Sequence, residues 1–223
     1  MTDLTASHTG VTPEPTSKEF SAATKVFGPH LDLARGFVSH LASTGIERGL
    51  LGPREVPRLW GRHVLNCAVV AELMAKDAVV VDVGSGAGLP GVAIAIARPD
   101  LTLHLVEPLE RRVTWLGEVV ADLGLVNVHL HRARAEQVVG DISGNYVTAR
   151  AVSALLILAP WTIPLTRTGG EVLAIKGRSA AEEIEKARTI VRKLGGGAPE
   201  IVTAGDGVLE EPTIVVRIPV RRA

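Results

Sequence analysis

The sequence predicts a doubly wound α/β fold, in which a mostly parallel sheet of seven strands ends in an antiparallel hairpin and follows a helical N-terminal region. Three observations predict it. Short Val/Ile/Leu runs alternate with amphipathic stretches from Ala78 onward, a glycine-rich turn follows the first run, and only the last connection lacks a helix. Alternation of this kind marks βαβ units whose strands are covered on both faces.

Taken in order, residues 1–16 are rich in Thr, Ser and Pro without apolar periodicity and read as a loose tail. Residues 17–76 form the helical region. There Leu59, Trp60, Val64 and Ala68 recur at three- and four-residue steps behind Pro53 and Pro57. Residues 77–223 carry the sheet, packed with those helices as one compact unit. Strands are expected at 78–83, 101–107, 127–133, 146–151, 171–177, 200–204 and 213–220. Helices are expected near 89–97, 109–123, 153–164 and 179–194. Between the last two strands lie Gly205, Asp206, Gly207 and Pro212, which make a hairpin turn rather than a crossover.

Composition narrows the class. The 223 residues carry 24 Lys and Arg against 24 Asp and Glu, and 46% are hydrophobic, enough for one substantial core and unlike a disordered chain. Cys67 is the only cysteine, so no disulfide forms within the chain. The longest uncharged run, between Arg150 and Arg167, is interrupted by Pro160 and Pro164 and falls short of the about 20 residues of a membrane span. The N-terminus has no apolar secretory core. A cytoplasmic location is therefore expected, with no membrane partner.

The segment Val79-Val80-Val81-Asp82-Val83-Gly84-Ser85-Gly86-Ala87-Gly88-Leu89-Pro90-Gly91 is the most informative. A buried strand runs into alternate glycines and then a helix. Glycines permit positive φ there and let a ligand approach the backbone without a Cβ in the way. Gly86, Gly88 and Gly91 also satisfy the dinucleotide spacing, and Glu107, ending the second strand, suits the ribose of either kind of ligand. An NAD(P)-dependent oxidoreductase is thus the alternative enzyme. Asp82 before the loop, a first glycine at Gly84 and the terminal hairpin favour S-adenosylmethionine instead. On that reading the loop backbone faces the methionine part, Asp82 attracts its ammonium and Glu107 holds the ribose. No Gly-Lys-Ser/Thr follows, which excludes a P-loop.

Together with this loop and Glu107, the motifs Arg62-His63-Val64-Leu65, Ala133-Arg134-Ala135-Glu136, Ala149-Arg150-Ala151 and Ile175-Lys176-Gly177 make the chain resemble the RsmG (GidB) family. The resemblance covers residues 20 to 220. It implies a seven-stranded Rossmann-like (class I) S-adenosylmethionine-dependent methyltransferase sheet and methyl transfer to guanine N7 in 16S ribosomal RNA of the small subunit, at nucleotide 527. It also implies cofactor contacts at Gly84, Leu89, Ala135, Glu136 and Arg150. Asn66 and Cys67 stand where the family usually has Asp-Ser, and Ala149 where it often has Ser.

Guanine N7 already presents a lone pair, so transfer needs alignment and no general base. The strand-end residues agree: Arg134, Arg150 and Lys176 rather than an acid or imidazole dyad. Arg134 and Lys176 are expected to position RNA, and Arg150 to lie between cofactor and guanine. Gly86 and Gly88 complete the expected cofactor loop with Asp82. For RNA reach, Arg54, Arg58 and Arg62 recur every four residues, with His63 beside them, and residues 35–67 hold five Arg against two Glu. His129 and His131 share a strand face without a suitable third ligand nearby in sequence, so no metal is expected. The expected partner is 16S rRNA in the small subunit or an assembly intermediate, with the protein a monomer. A non-catalytic ribosome-assembly module is the alternative outside the enzymes.

Overall fold

The computed structural model describes residues 13–221. Residues 1–12, most of the expected tail, lie outside the described residues. The sheet has the order β3-β2-β1-β4-β5-β7-β6. Its strands are β1 (Val79–Val83), β2 (Thr102–Val106), β3 (Val128–His131), β4 (Gly144–Arg150), β5 (Thr166–Ile175), β6 (Glu200–Ala204) and β7 (Thr213–Pro219). The first five are parallel, and β7 enters antiparallel between β5 and β6, as the helix-free connection requires.

The α-helices are α1 (Ser17–Phe27), α2 (Leu31–His40), α3 (Asn66–Ala68), α4 (Gly91–Ala97), α5 (Glu110–Asp122), α6 (Leu155–Thr162) and α7 (Ala180–Lys193). A capping box opens α1. The Thr16 hydroxyl accepts from the Glu19 amide at 3.2 Å while the Glu19 carboxylate accepts from the Thr16 amide at 2.8 Å. Before α3 the chain departs from the expected α periodicity. Pro53–Arg58 is a 3-10 stretch and Leu59–Leu65 a wider π-helical one. Pro57 has no N–H and its ring crowds an α-helix interior, so the tighter turn takes its place. The four-residue spacing of Arg54, Arg58 and Arg62 consequently does not define one helix face. All three are exposed, and Arg58 and Arg62 each lie 3.9 Å from Glu55.

Strand alternation sorts the core onto two faces. Val80, Leu103 and Leu105 pack with Phe27, Phe37, Leu65 and Trp115. On the other face, Val81, Val83 and Val147 meet Leu158 of α6 and Val191 of α7. The first cluster holds residues of both the helical region and the sheet, so the two are one packed body. Trp115 is wholly buried, and its indole N–H donates to the Thr44 hydroxyl at 2.9 Å, which satisfies the polar edge of a large apolar group. Parallel strands bring the carboxyl ends of β1, β2, β3 and β4 to one edge of the sheet, and there the loops converge.

Candidate functional site

A cleft of about 550 Å³ opens at that edge. Its floor is the turn after β1, where Gly84, Gly86 and Gly88 all have positive φ. A Cβ on Gly84 would stand 2.8 Å from Cγ2 of Val152, whereas one on Gly86 would meet nothing nearer than the Gly84 carbonyl at 3.7 Å. Backbone at Gly86 is therefore open for close approach, the cradle that a ligand on this loop requires. Leu89 lines the cleft too, but Gly88 does not. It lies against Val92 and Leu116, so its place in the expected cofactor set is corrected to one of helix packing.

Asp82 also departs from expectation. Parity along β1 puts it on the same face as Val80, beneath α4, wholly buried and outside the cleft. One carboxylate oxygen accepts from the Gly91 amide at 3.0 Å and the other from the Thr148 hydroxyl at 3.3 Å. Its role is thus to hold the start of α4 under the loop, not to meet a ligand's ammonium. Burial pushes its carboxyl from an ordinary value near 3.8 up to about 6.

Glu107 directly follows β2. At 2% exposure it lines the cleft, accepting from the Gly86 amide and the Leu109 amide, both at 3.0 Å. The same carboxylate thereby fixes the glycine turn and the entry to α5. Ala135 and Glu136, after β3, form the next wall with exposed Arg134 beside them.

The remaining expected cations behave differently from one another. Arg150 lines the cleft, yet its guanidinium hydrogen bonds run to the π-helical stretch and the residues just after it. They reach the Arg62 carbonyl at 3.1 Å, the His63 carbonyl at 3.2 Å, Cys67 Sγ at 2.9 Å and His63 Nδ1 at 2.9 Å. His63 is buried and engaged, not displayed to RNA as expected. Lys176 does not reach the cleft. Its side chain is 9% exposed, and its ammonium pairs with Glu183 of α7 at 2.8 Å and donates to the Ser153 carbonyl at 2.6 Å. Glu183 also accepts from the Leu155 amide at 2.8 Å, so the pair braces the loop that carries Val152 into the cleft. Arg54, Arg58 and Arg62 lie outside the cleft lining.

Sequence reasoning missed Leu50, Leu51, Arg112 and Trp161, which complete the walls. Arg112 had a usable signal. It stands three and four residues before buried Trp115 and Leu116, on the inward face of α5 at its sheet-edge end. Its Nη1 lies 3.6 Å from Glu107, and its Nε is the buried side-chain nitrogen without a partner among the described residues. An orphaned donor beside an acid in a cleft fits a site built to take a polar ligand.

A sheet of this order, a glycine turn after β1 and a buried acid closing β2 define a class I S-adenosylmethionine-dependent methyltransferase fold. Solved structures agree on the fold. M. jannaschii TYW2 in complex with AdoMet aligns with a TM-score of 0.58 at 17% identity, covering 74% of this chain and 78% of that one. A ribosomal protein L11 methylase from Lactobacillus delbrueckii subsp. bulgaricus aligns at 0.56 and 18% identity, over 72% and 79%. The sequence model of GidB, rRNA small subunit methyltransferase G, matches residues 30–209. Two proteins described as ribosomal RNA small subunit methyltransferase G are highly similar. That of Renibacterium salmoninarum is 65% identical over 92% of this chain and 96% of its own length. That of Paenarthrobacter aurescens is 63% identical over 94% and 97%. The chain belongs to the GidB family of small-subunit rRNA methyltransferases.

Proposed function

We propose that the protein methylates N7 of one guanine in 16S rRNA, nucleotide 527 by family resemblance, with S-adenosylmethionine as donor. The observation that carries the chemistry is that the buried proton acceptors of the cleft are already engaged. Glu107 is held by two amides and His63 by Glu55 and Arg150, which leaves exposed Glu136, on the wall assigned to the cofactor, as the remaining acid of the lining. An acceptor that already has a lone pair fits such a site, because transfer to it requires alignment alone.

When bound, S-adenosylmethionine would supply a methyl on a sulfonium for transfer to N7, with the carbon–sulfur electron pair left on sulfur. Gly84 and Gly86 offer the close backbone, Glu107 the acceptor for ribose hydroxyls, and Leu89, Ala135 and Glu136 the flanking walls. Positive charge grows on the guanine as the bond forms, so a cation aimed at N7 would oppose the reaction. Arg134, exposed at the mouth, is placed to hold a phosphate or O6. Lys176 acts at a distance, through the braced 151–154 loop. The protein works as a monomer on a small subunit or assembly intermediate, since this cleft leaves little surface for reading RNA sequence unaided.

The test is to incubate the protein and methyl-labelled donor with small subunits from a strain lacking the activity, then locate label by mass spectrometry. Label on one 16S guanine, as 7-methylguanine, is expected. Label on another base or another atom of guanine overturns the N7 assignment.

A further inference from the structure

Arg150 is tied into a chain of three side chains that begins outside the cleft. Glu55, in the 3-10 stretch, holds His63 Nε2 at 2.7 Å, and His63 Nδ1 lies 2.9 Å from Arg150 Nη2. A guanidinium only donates, so Nδ1 must accept and carry no proton. The carboxylate across the ring only accepts, so Nε2 must carry one. These two contacts fix a single tautomer of a neutral imidazole. Only 7% of His63 is exposed, and Arg150 also closes on the carbonyls of Arg62 and His63 and on buried Cys67. No hydrogen bond of the guanidinium to another residue of the sheet is present among the described residues.

We propose that Glu55 and His63 are positioning residues for the cofactor cleft: neutral His63 seats the Arg150 guanidinium against the helical region, and protonating it releases that wall. The inference rests on the cofactor reading above and extends it to two residues that are not themselves assigned to the cofactor. A second proton, placed on Nδ1, would point an N–H at another N–H across 2.9 Å and put two cations in contact. Arg150 would have to move, and with it the strand end that leads through Ala151 to Val152, all three lining the same cleft. Ala151 holds positive φ without being glycine, so this turn depends on its surroundings to keep its shape.

The charged and titratable groups around His63 are Glu55 and Arg58 from the preceding stretch, Arg62 on its own π-helical stretch, Cys67 of α3, Glu19 of α1 beside Gly61, and Arg150 of β4. Burial holds the imidazole below its ordinary value near 6.5, Glu55 pulls the other way, and Arg150 adds to the burial. The uncharged ring is therefore the form present at neutral pH.

The experiment is calorimetric binding of S-adenosylhomocysteine to the full chain from pH 5 to 8, with circular dichroism as a check on folding. Wild type is expected to lose affinity on the acid side. His63→Leu, which has no acceptor, weakens binding on the order of tenfold at pH 8. His63→Asn, whose Oδ1 stands in for Nδ1, recovers most of that loss and has no acid limb of its own. Glu55→Gln keeps the acceptor but removes the charge that holds the proton on, moving the acid limb down by on the order of half a pH unit. A wild-type affinity flat over this range, an acid limb that persists in His63→Asn, or a limb unmoved in Glu55→Gln overturns the proposal. Absence of binding by wild type at pH 8 instead overturns the cofactor reading beneath it. If the Leu variant fails to fold, the Asn and Gln arms decide.

Discussion

Asp82 and Lys176 show how far a residue's type can sit from its role. Both were legible as charges at strand ends, Asp82 before the glycine turn and Lys176 after the fifth strand. What the residue type withholds is direction, and for Asp82 parity supplies it, since residues 80 and 82 of one strand share a face. Its raised carboxyl has a consequence for stability. With an ordinary value near 3.8 in the unfolded chain and about 6 when folded, the native state binds the proton more tightly. The associated stability is fully present below about pH 4 and is lost as pH rises through about 6. Asp82→Asn flips its amide so that Oδ1 takes the Gly91 N–H, and the variant lacks this titration. Between pH 4 and 7 wild type is expected to lose on the order of 1–3 kcal/mol relative to Asp82→Asn, measured by urea unfolding at the two pH values. Equal pH dependence in both proteins would contradict the assignment. Lys176→Ala strands Glu183 beside α6 and removes the donor to Ser153. It should cost about 1–3 kcal/mol of stability with little loss of S-adenosylhomocysteine affinity. An intact melting curve with abolished binding would return Lys176 to the cleft.

Among the elements, the strands and the helices α5 and α7 were readable because period and hydrophobicity agree along each, whereas α6 is apolar on all sides and is marked only by its place between two strands. β5 is longer than expected, beginning at Thr166 rather than near residue 171, since its early residues alternate polar and small groups with little apolar signal. The 53–65 segment was less legible. Its apolar spacing fits an α-helix, but Pro57 shifts the turn geometry, and the partner that makes His63 and Arg62 useful lies on β4, 87 and 88 residues away in sequence. No local pattern encodes such a contact. The exposed arginines of this segment keep their place as RNA-facing candidates without sharing an α-helical face. Arg54→Ala and Arg58→Ala should each lower 16S rRNA affinity and reduce the salt slope by about 1. Binding titrations at several salt concentrations measure this. An unchanged slope in both variants would remove the segment from the RNA surface.

At the scale of the whole molecule, the helical region and sheet share an apolar cluster, and Arg150, Arg98 and Trp115 tie them together. Arg98, after α4, donates to the carbonyls of Ala71 and Met74 as well as to Asp100. These ties matter for function because Leu50, Leu51 and His63 close a cleft whose floor belongs to the sheet. Strand order and the glycine turn were visible in the sequence. Closure of the cleft from the N-terminal side was not, since it arises from packing between segments far apart in the chain.

The most direct measurement is a crystal structure of the full chain with S-adenosylhomocysteine. The expected result has the ribose hydroxyls on Glu107, the sulfur end over the Gly84–Gly86 backbone and the adenine beside Ala135. A ligand seated elsewhere on the protein, with this turn untouched, would contradict it.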